Sequence, residues 1–338
     1  MQTDYEIGRA FAFGGVRTVG LAVLAPMTGL TDVPFRRIAA RYGAGMVVTE
    51  MVASGALVRR DAAAQVKAEG QGIRPHVVQL VGRDPRLMAE AARIAEANGA
   101  DIVDLNFGCP AKRVTGGMAG SALMKEPDLA GAIAASVAAA VRVPVTAKMR
   151  LGWDGASLNA ADLVRRLDEL GLAGFTVHGR TRQQFYTGRA DPWAVAPAVA
   201  ATGRPVLVNG DIRDLREARN AMRASGAAGI MVGRAAIGRP WLIGELAAGL
   251  AGATWREPGP AERADVAAEH YEALLELYGY DVGRRAARKH LAAYADQAAA
   301  DGWGLPDAER RELVVVEDPA RVVSLLRRAF AEAGRLAA

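Results

Sequence analysis

Asn106, Phe107, Gly108, Cys109 and Pro110 form the segment of this chain best suited to chemistry. Cys109 is the only cysteine in 338 residues, so no internal disulfide can form. A free cysteine is usually a small buried hydrophobe. This one lies past an apolar run, between Gly and Pro, before a loop (111–118) that carries Lys112, Arg113 and two glycines. That placement suits a nucleophile or an acid, and the loop suits a lid. Polar residues end several apolar runs: Gln79, Asn106, Lys148, Arg150, His178, Arg180, Asn209 and Arg234. Any one alone reads as a loop salt bridge. Eight converging on one rim are hard to explain by packing, because each would have to be desolvated. Asn209, Gly210 and Asp211, with Gly233 and Arg234, offer backbone N–H groups, close approach and a bidentate cation. A phosphorylated cofactor is the better reading of those turns, and two ordinary glycine turns the blander one.

The elements that must position these residues are legible in outline. Apolar runs at 21–25, 46–49, 76–81, 102–106, 144–149, 174–178, 205–209 and 229–233 mostly lack alternation, as strands buried on both faces do. Between them lie helical patterns at 85–98, 127–141, 156–170 and 214–225. Eight strand-helix units predict an α/β fold, a (β/α)₈ TIM barrel whose site lies at the C-terminal strand ends. A doubly wound sheet would show a glycine-rich turn after its first strand, and Ala25, Pro26, Met27 and Thr28 are not one. Residues 10–20 predict a hairpin plugging the barrel floor. Two prolines and a glycine in 253–260 read as a linker. The expected division is a catalytic barrel over 1–252 and a small all-helical domain over 261–338.

Composition sets the outer bounds. With 51% hydrophobic and 23% charged residues the chain can fill a core. No run approaches the roughly 18 uncharged apolar residues of a membrane helix. The N-terminus lacks a secretory pattern, and a lone cysteine fits a reducing cytoplasm. Net charge is +5, yet residues 256–338 hold 12 Arg/Lys against 15 Asp/Glu, a net of −3 that leaves +8 on residues 1–255. Nucleic-acid binding is permitted, but bulk charge does not make the tail a basic arm. Its positive residues concentrate in Arg284, Arg285, Arg288, Lys289 and His290.

Together these motifs resemble the tRNA-dihydrouridine synthases. The resemblance runs in order through Ala25, Pro26, Met27, Thr28, Gly29, Leu30, Thr31 and Asp32, then Asn106 to Pro110, and then Lys148, Met149 and Arg150. It continues through His178, Gly179, Arg180 and Thr181 to Asn209, Gly210, Asp211, Gly233 and Arg234. Arg284 to His290 is similar to the bacterial B-type branch. The resemblance implies FMN, NADPH or NADH as reductant, a tRNA substrate with its uridine in the D-loop, and a helical RNA-recognition tail. By position, Pro26, Met27, Thr28, Gln79, Lys148 and His178 would face the flavin, and Asn209, Gly210, Asp211, Gly233 and Arg234 would hold its phosphate. Asn106, Arg150 and Arg180 would bond the uracil, and Arg284, Arg288 and Lys289 would grip RNA phosphates. Hydride would go to C6 while Cys109, as a neutral thiol, protonates C5. No metal, no membrane and a monomer are expected.

Three rivals remain at this point. A dihydroorotate-type flavin dehydrogenase would need no basic helical tail, and a Schiff-base aldolase using Lys148 would be colourless. An inactive RNA-binding protein on the same barrel would need none of Cys109, Lys148 and His178.

Overall fold

The computed structural model describes residues 10–331. A two-stranded hairpin, β1 (Ala12–Phe13) and β2 (Val16–Arg17), precedes the main sheet. Nine strands follow: β3 (Ala22–Leu24), β4 (Met46–Val48), β5 (Val52–Ala53), β6 (His76–Val81), β7 (Ile102–Phe107), β8 (Val145–Arg150), β9 (Gly174–His178), β10 (Val206–Asn209) and β11 (Gly229–Val232). All pairings among them are parallel, and the contact of β4 with β6 closes eight strands into a barrel. The two-residue β5 sits outside the ring, paired to the end of β6, and was not expected. The eight anticipated runs agree with the eight barrel strands to within one or two residues at either end.

The eight barrel strands are Val-, Ile- and Leu-rich and buried throughout apart from Lys148, because helices cover their outer faces while side chains fill the inside. The helices start where side chains can satisfy free N–H groups. Asp84 accepts from Arg86 and Leu87 ahead of Pro85–Ala97, and Asp214 accepts from Glu217 in Leu215–Ser225. The helix anticipated from 156 begins only at Ala160. Residues 154–157 instead form a turn in which Asp154 accepts from Ala156 and Ser157.

The hairpin does plug the barrel floor. Phe11 and Phe13 pack in one apolar cluster with Val23, Val48, Val77, Ile102 and Leu207 from five strands. Phe13 lies where any side chain on Gly174 would fall.

After Leu242–Ala251 an irregular stretch leads into four helices, Pro260–Tyr278, Tyr280–Ala300, Asp307–Leu313 and Pro319–Ala329. These share an apolar core of their own, which also takes in Ile38 and the fully buried Trp241 from the barrel side. Polar ties add to the seam: Arg41 holds Glu269 at 2.8 and 2.6 Å, and Tyr42 Oη donates to Glu262 at 2.7 Å. The helical tail is thus packed onto the barrel helix Val33–Arg41 and not tethered by its linker alone. No helix among the described residues is long and apolar enough to cross a membrane.

Candidate active site

At the C-terminal strand ends the barrel opens into a cavity of about 510 Å³. All fifteen residues singled out on the barrel line it, from Pro26, Met27 and Thr28 after β3 to Gly233 and Arg234 after β11. Parallel strands in a closed barrel all end on one side, so their terminal side chains share one space.

One wall is a relay of hydrogen bonds that ends at the cysteine. Thr146 Oγ1 donates to Asp104 Oδ1 and Gln79 Nε2 to Asp104 Oδ2, both at 2.7 Å. Asn106 Nδ2 donates to Gln79 Oε1 at 2.7 Å. Asn106 Oδ1 then accepts the N–H groups of Gly108 and Cys109, at 3.1 and 2.9 Å. The acceptor-only carboxylate of Asp104 sets the orientation of both amides in turn. Gln79 and Asn106 therefore spend much of their bonding capacity on each other and on the cysteine turn. Asp104 was missed in the sequence although a signal was present: it stands two residues before Asn106, on the same strand face.

The Cys109 carbonyl accepts from Ser121 Oγ at 2.9 Å and Ser121 N at 3.1 Å. The expected lid loop is a helical turn, Lys112–Thr115, that places Arg113 and Val114 against the cavity. Burial pushes the Cys109 thiol above its ordinary range, outweighing the Ala111 N–H and the nearby cations. A protonated thiol is the resting form.

Beside it, on the next strand, the basic wall begins. Lys148 Nζ donates to Asn209 Oδ1 at 2.9 Å, its one protein partner among the described residues. Burial, then Arg150, lowers its pKa to about 8. His178 is kept neutral by burial and by the cations around it. Arg150 and Arg180, both only 2% exposed, act as braces. Arg150 donates to the carbonyls of Gly108, Thr181 and Phe185 at 2.8–2.9 Å. Arg180 grips Asp211 at 3.0 and 2.6 Å and bonds the carbonyls of Thr187 and Gly188. Their expected role as uracil contacts thus competes with loop bracing. The loop they hold carries Tyr186, which lines the cavity under the guanidinium of Arg234, 4.6 Å from the ring centroid. An aromatic residue in a polar loop was its only sequence signal.

The residues fit a phosphorylated, electron-accepting cofactor. Gly210 has φ +125°, and a Cβ there would lie 2.6 Å from Ala190 Cβ and 3.0 Å from His178 Cδ2, so the turn stays bare backbone. Arg234 is 59% exposed and only 3.8 Å from its nearest carboxylate, Asp211, leaving its fork free for an anion. The Asp211 side chain itself is occupied by Arg180 and by the Ala190 N–H at 2.8 Å. Only its backbone is left to serve a phosphate.

The tail segment departs from expectation. In Tyr280–Ala300 the side chains of Arg285, Arg288 and Lys289 are exposed, but His290 is 1% exposed and faces the core. His290 is therefore not a phosphate contact. Arg284 is paired with Glu317 at 2.6 Å and lies over the Tyr280 ring, so it braces the tail. Tyr294, a candidate for stacking on RNA, is 1% exposed and bonded to His270 at 3.1 Å. Lys289 does reach the rim: its Nζ occupies the space beside Gly29, 2.9 Å from where a Cβ would stand.

Comparison with known proteins bears on this site. Residues 23–332 match the family model described as "Dihydrouridine synthase (Dus)". A "Probable tRNA-dihydrouridine synthase" of Rhodobacter capsulatus is 50% identical over 314 residues, covering 92% of this chain and 94% of that protein. "tRNA-dihydrouridine synthase B" of Xanthomonas campestris is 44% identical over 282 residues, covering 81% and 83%. Among solved structures, a morphinone reductase variant in complex with tetrahydroNAD aligns with TM-score 0.51 at 15% identity, covering 77% of this chain and 94% of that one. That last likeness concerns the barrel fold alone.

Proposed function

The chain belongs to the dihydrouridine synthase family, and from that premise we propose how its residues divide the work of reducing a tRNA uridine. The observation that carries the reading is a single cavity that a protonated Cys109 shares with Lys148 on the neighbouring strand, Arg234 and a bare Gly210 turn. Bound FMN, re-reduced by NADPH or NADH, supplies the hydride that saturates the C5–C6 bond. Gly210, Gly233 and Arg234 hold the phosphate end by backbone approach and charge. Lys148 supplies positive charge beside the ring system, which favours its reduced, anionic state.

Cys109 contributes the proton. As negative charge builds on the uracil at C5, the neutral thiol donates S–H there and is reprotonated from solvent. The relay from Asp104 through Gln79 and Asn106 aims the cysteine turn, and Ser121 pins its carbonyl. A depressed pKa would defeat this role, since an acid has to arrive protonated.

The base has to leave the RNA stack to enter a barrel mouth, and a loosely stacked D-loop uridine meets that need. Lys289 beside Gly29, with Arg285 and Arg288 exposed on the same helix, provides a basic edge for the flanking phosphates. The division of labour assigns catalysis to residues 1–252 and the RNA grip to 261–338. The same reading takes the protein as a monomer, and a tRNA substrate supports work in the cytoplasm. Mass-spectrometric mapping of dihydrouridine in tRNA from cells lacking the protein tests the assignment. Loss at one D-loop position supports it, and an unchanged map refutes it.

A further inference from the structure

Where the tail meets the barrel, three side chains from three helical segments converge in a dry interior. Asp32 caps Val33–Arg41, His270 belongs to Pro260–Tyr278 and His290 to Tyr280–Ala300. They are 5%, 0% and 1% exposed. His270 Nε2 lies 3.5 Å from Asp32 Oδ1, and His290 Nε2 lies 3.5 Å from Asp32 Oδ2. One ligand atom from each residue falls within 4.8 Å of the others.

Both separations are long for a charge-assisted hydrogen bond. An N–H donor would approach a carboxylate to about 2.7–2.9 Å. Among the described residues, His270 Nε2 and both ring nitrogens of His290 have no hydrogen-bond partner. Buried polar atoms nearly always have one. A shared cation explains the separation: bonds of about 2.0–2.1 Å to a tetrahedral centre put neighbouring ligand atoms about 3.3 Å apart.

We propose that Asp32, His270 and His290 form a structural site for a divalent transition metal, zinc by its ligand set, that fastens the helical tail to the barrel. Two imidazoles and a carboxylate are ligands zinc accepts. Each Asp32 oxygen faces one histidine, and Oδ1 also accepts the Phe35 N–H at 2.9 Å, so the carboxylate supplies the third donor beside the two imidazoles. The second shell is in place. His270 Nδ1 lies 3.1 Å from Tyr294 Oη, and in the tautomer with its proton on Nδ1 that bond leaves the Nε2 lone pair for the metal. Phe35 closes the site, with its ring centroid 5.5 Å from that of His270 and 5.8 Å from that of His290. No metal is expected from the sequence, because the three residues show no short-range ligand spacing.

The site would also set the RNA-facing edge. Asp32 follows Gly29 by one short turn, and His290 adjoins Lys289, whose Nζ lies over Gly29. The metal therefore locks the register of that lysine against the rim. Because the ligands are buried, it would be acquired on folding and released only on unfolding.

The test uses the full-length, flavin-loaded protein, prepared without nickel-affinity steps and analysed for metals by mass spectrometry. About one zinc per chain is expected, falling below about a tenth in His290→Gln. In case that variant fails to fold, wild type is unfolded with a chelator and refolded with FMN and Co²⁺. Cobalt d–d bands to the red of the flavin absorption, absent when Zn²⁺ replaces Co²⁺ in the refolding mixture, are then expected. Absence of those bands overturns the proposal, as does their persistence unchanged in a folded His290→Gln protein.

Discussion

The barrel rim and the basic segment of the tail are both dense in charged and polar residues, yet they use them in opposite ways. On the rim, residues from every part of the barrel sequence reach one cavity of about 510 Å³. In the tail, consecutive residues part company: Lys289 turns to the rim and His290 to the core. A closed parallel barrel gathers its strand ends into one ring whatever their spacing in sequence. A helix distributes neighbours around its axis about 100° apart, so a run of cations is not a cationic face until its phase is known. The strand end is the safer inference from sequence alone.

That contrast can be broken most severely at the cysteine. Cys109→Ala is expected to lower uridine reduction about 10²- to 10⁴-fold, the usual worth of a general acid, with flavin binding and NADPH oxidation retained. Single-turnover reduction of tRNA at the wild-type rate would show that the relay ending at Cys109 is mere packing. Next in size, Trp241→Ala removes a fully buried side chain common to the barrel and the tail core. A loss of about 3–5 kcal/mol is expected in denaturant unfolding. A loss below about 1 kcal/mol would mean that the two regions are energetically separate.

The rim is sharpened by pH. Lys148 is charged below its pKa of about 8 and neutral above it. FMN affinity of the apoprotein is therefore expected to fall as pH rises through that range, and Lys148→Met should flatten the decline. An equally steep decline in the variant would assign it to another group. The smallest effect is expected at the tail. Lys289→Glu should raise the KM for tRNA several-fold with kcat little changed, and the difference should shrink at high salt. Steady-state kinetics at two ionic strengths measure it, and an unchanged KM removes Lys289 from the interface.

How far the sequence could be read follows from the same geometry. Eight apolar runs, the phosphate turns and the cysteine turn were legible because each is a local pattern. The hairpin plug was legible for the same reason, from Gly14 and Gly15 between short apolar pieces. Asp104 was harder to read: its place two residues before Asn106 marks the strand face, but its partner Gln79 is fixed only by the β6–β7 pairing. Arg150 and Arg180 were expected at the uracil by position in the resemblance; that they also satisfy the carbonyls of the 181–188 loop was not legible, because that loop's fold is not a local pattern. The burial of His290 and Tyr294 could not be read, since a solvated face and a buried one carry the same residue types until the helix is docked. Asp32 belonged to a recognisable motif, but its histidine neighbours come from the far end of the chain.

The plugged floor has a consequence for the order of events. Phe11 and Phe13 seal the N-terminal end, so every molecule that visits the cavity uses the same mouth. A nicotinamide donor and a flipped nucleotide cannot stand in one doorway together. Each has to withdraw before the other enters, and the reducing equivalents must wait in the cavity between the two visits. The turnover is a relay run by visitors that never meet, with the barrel as the place where the baton is left.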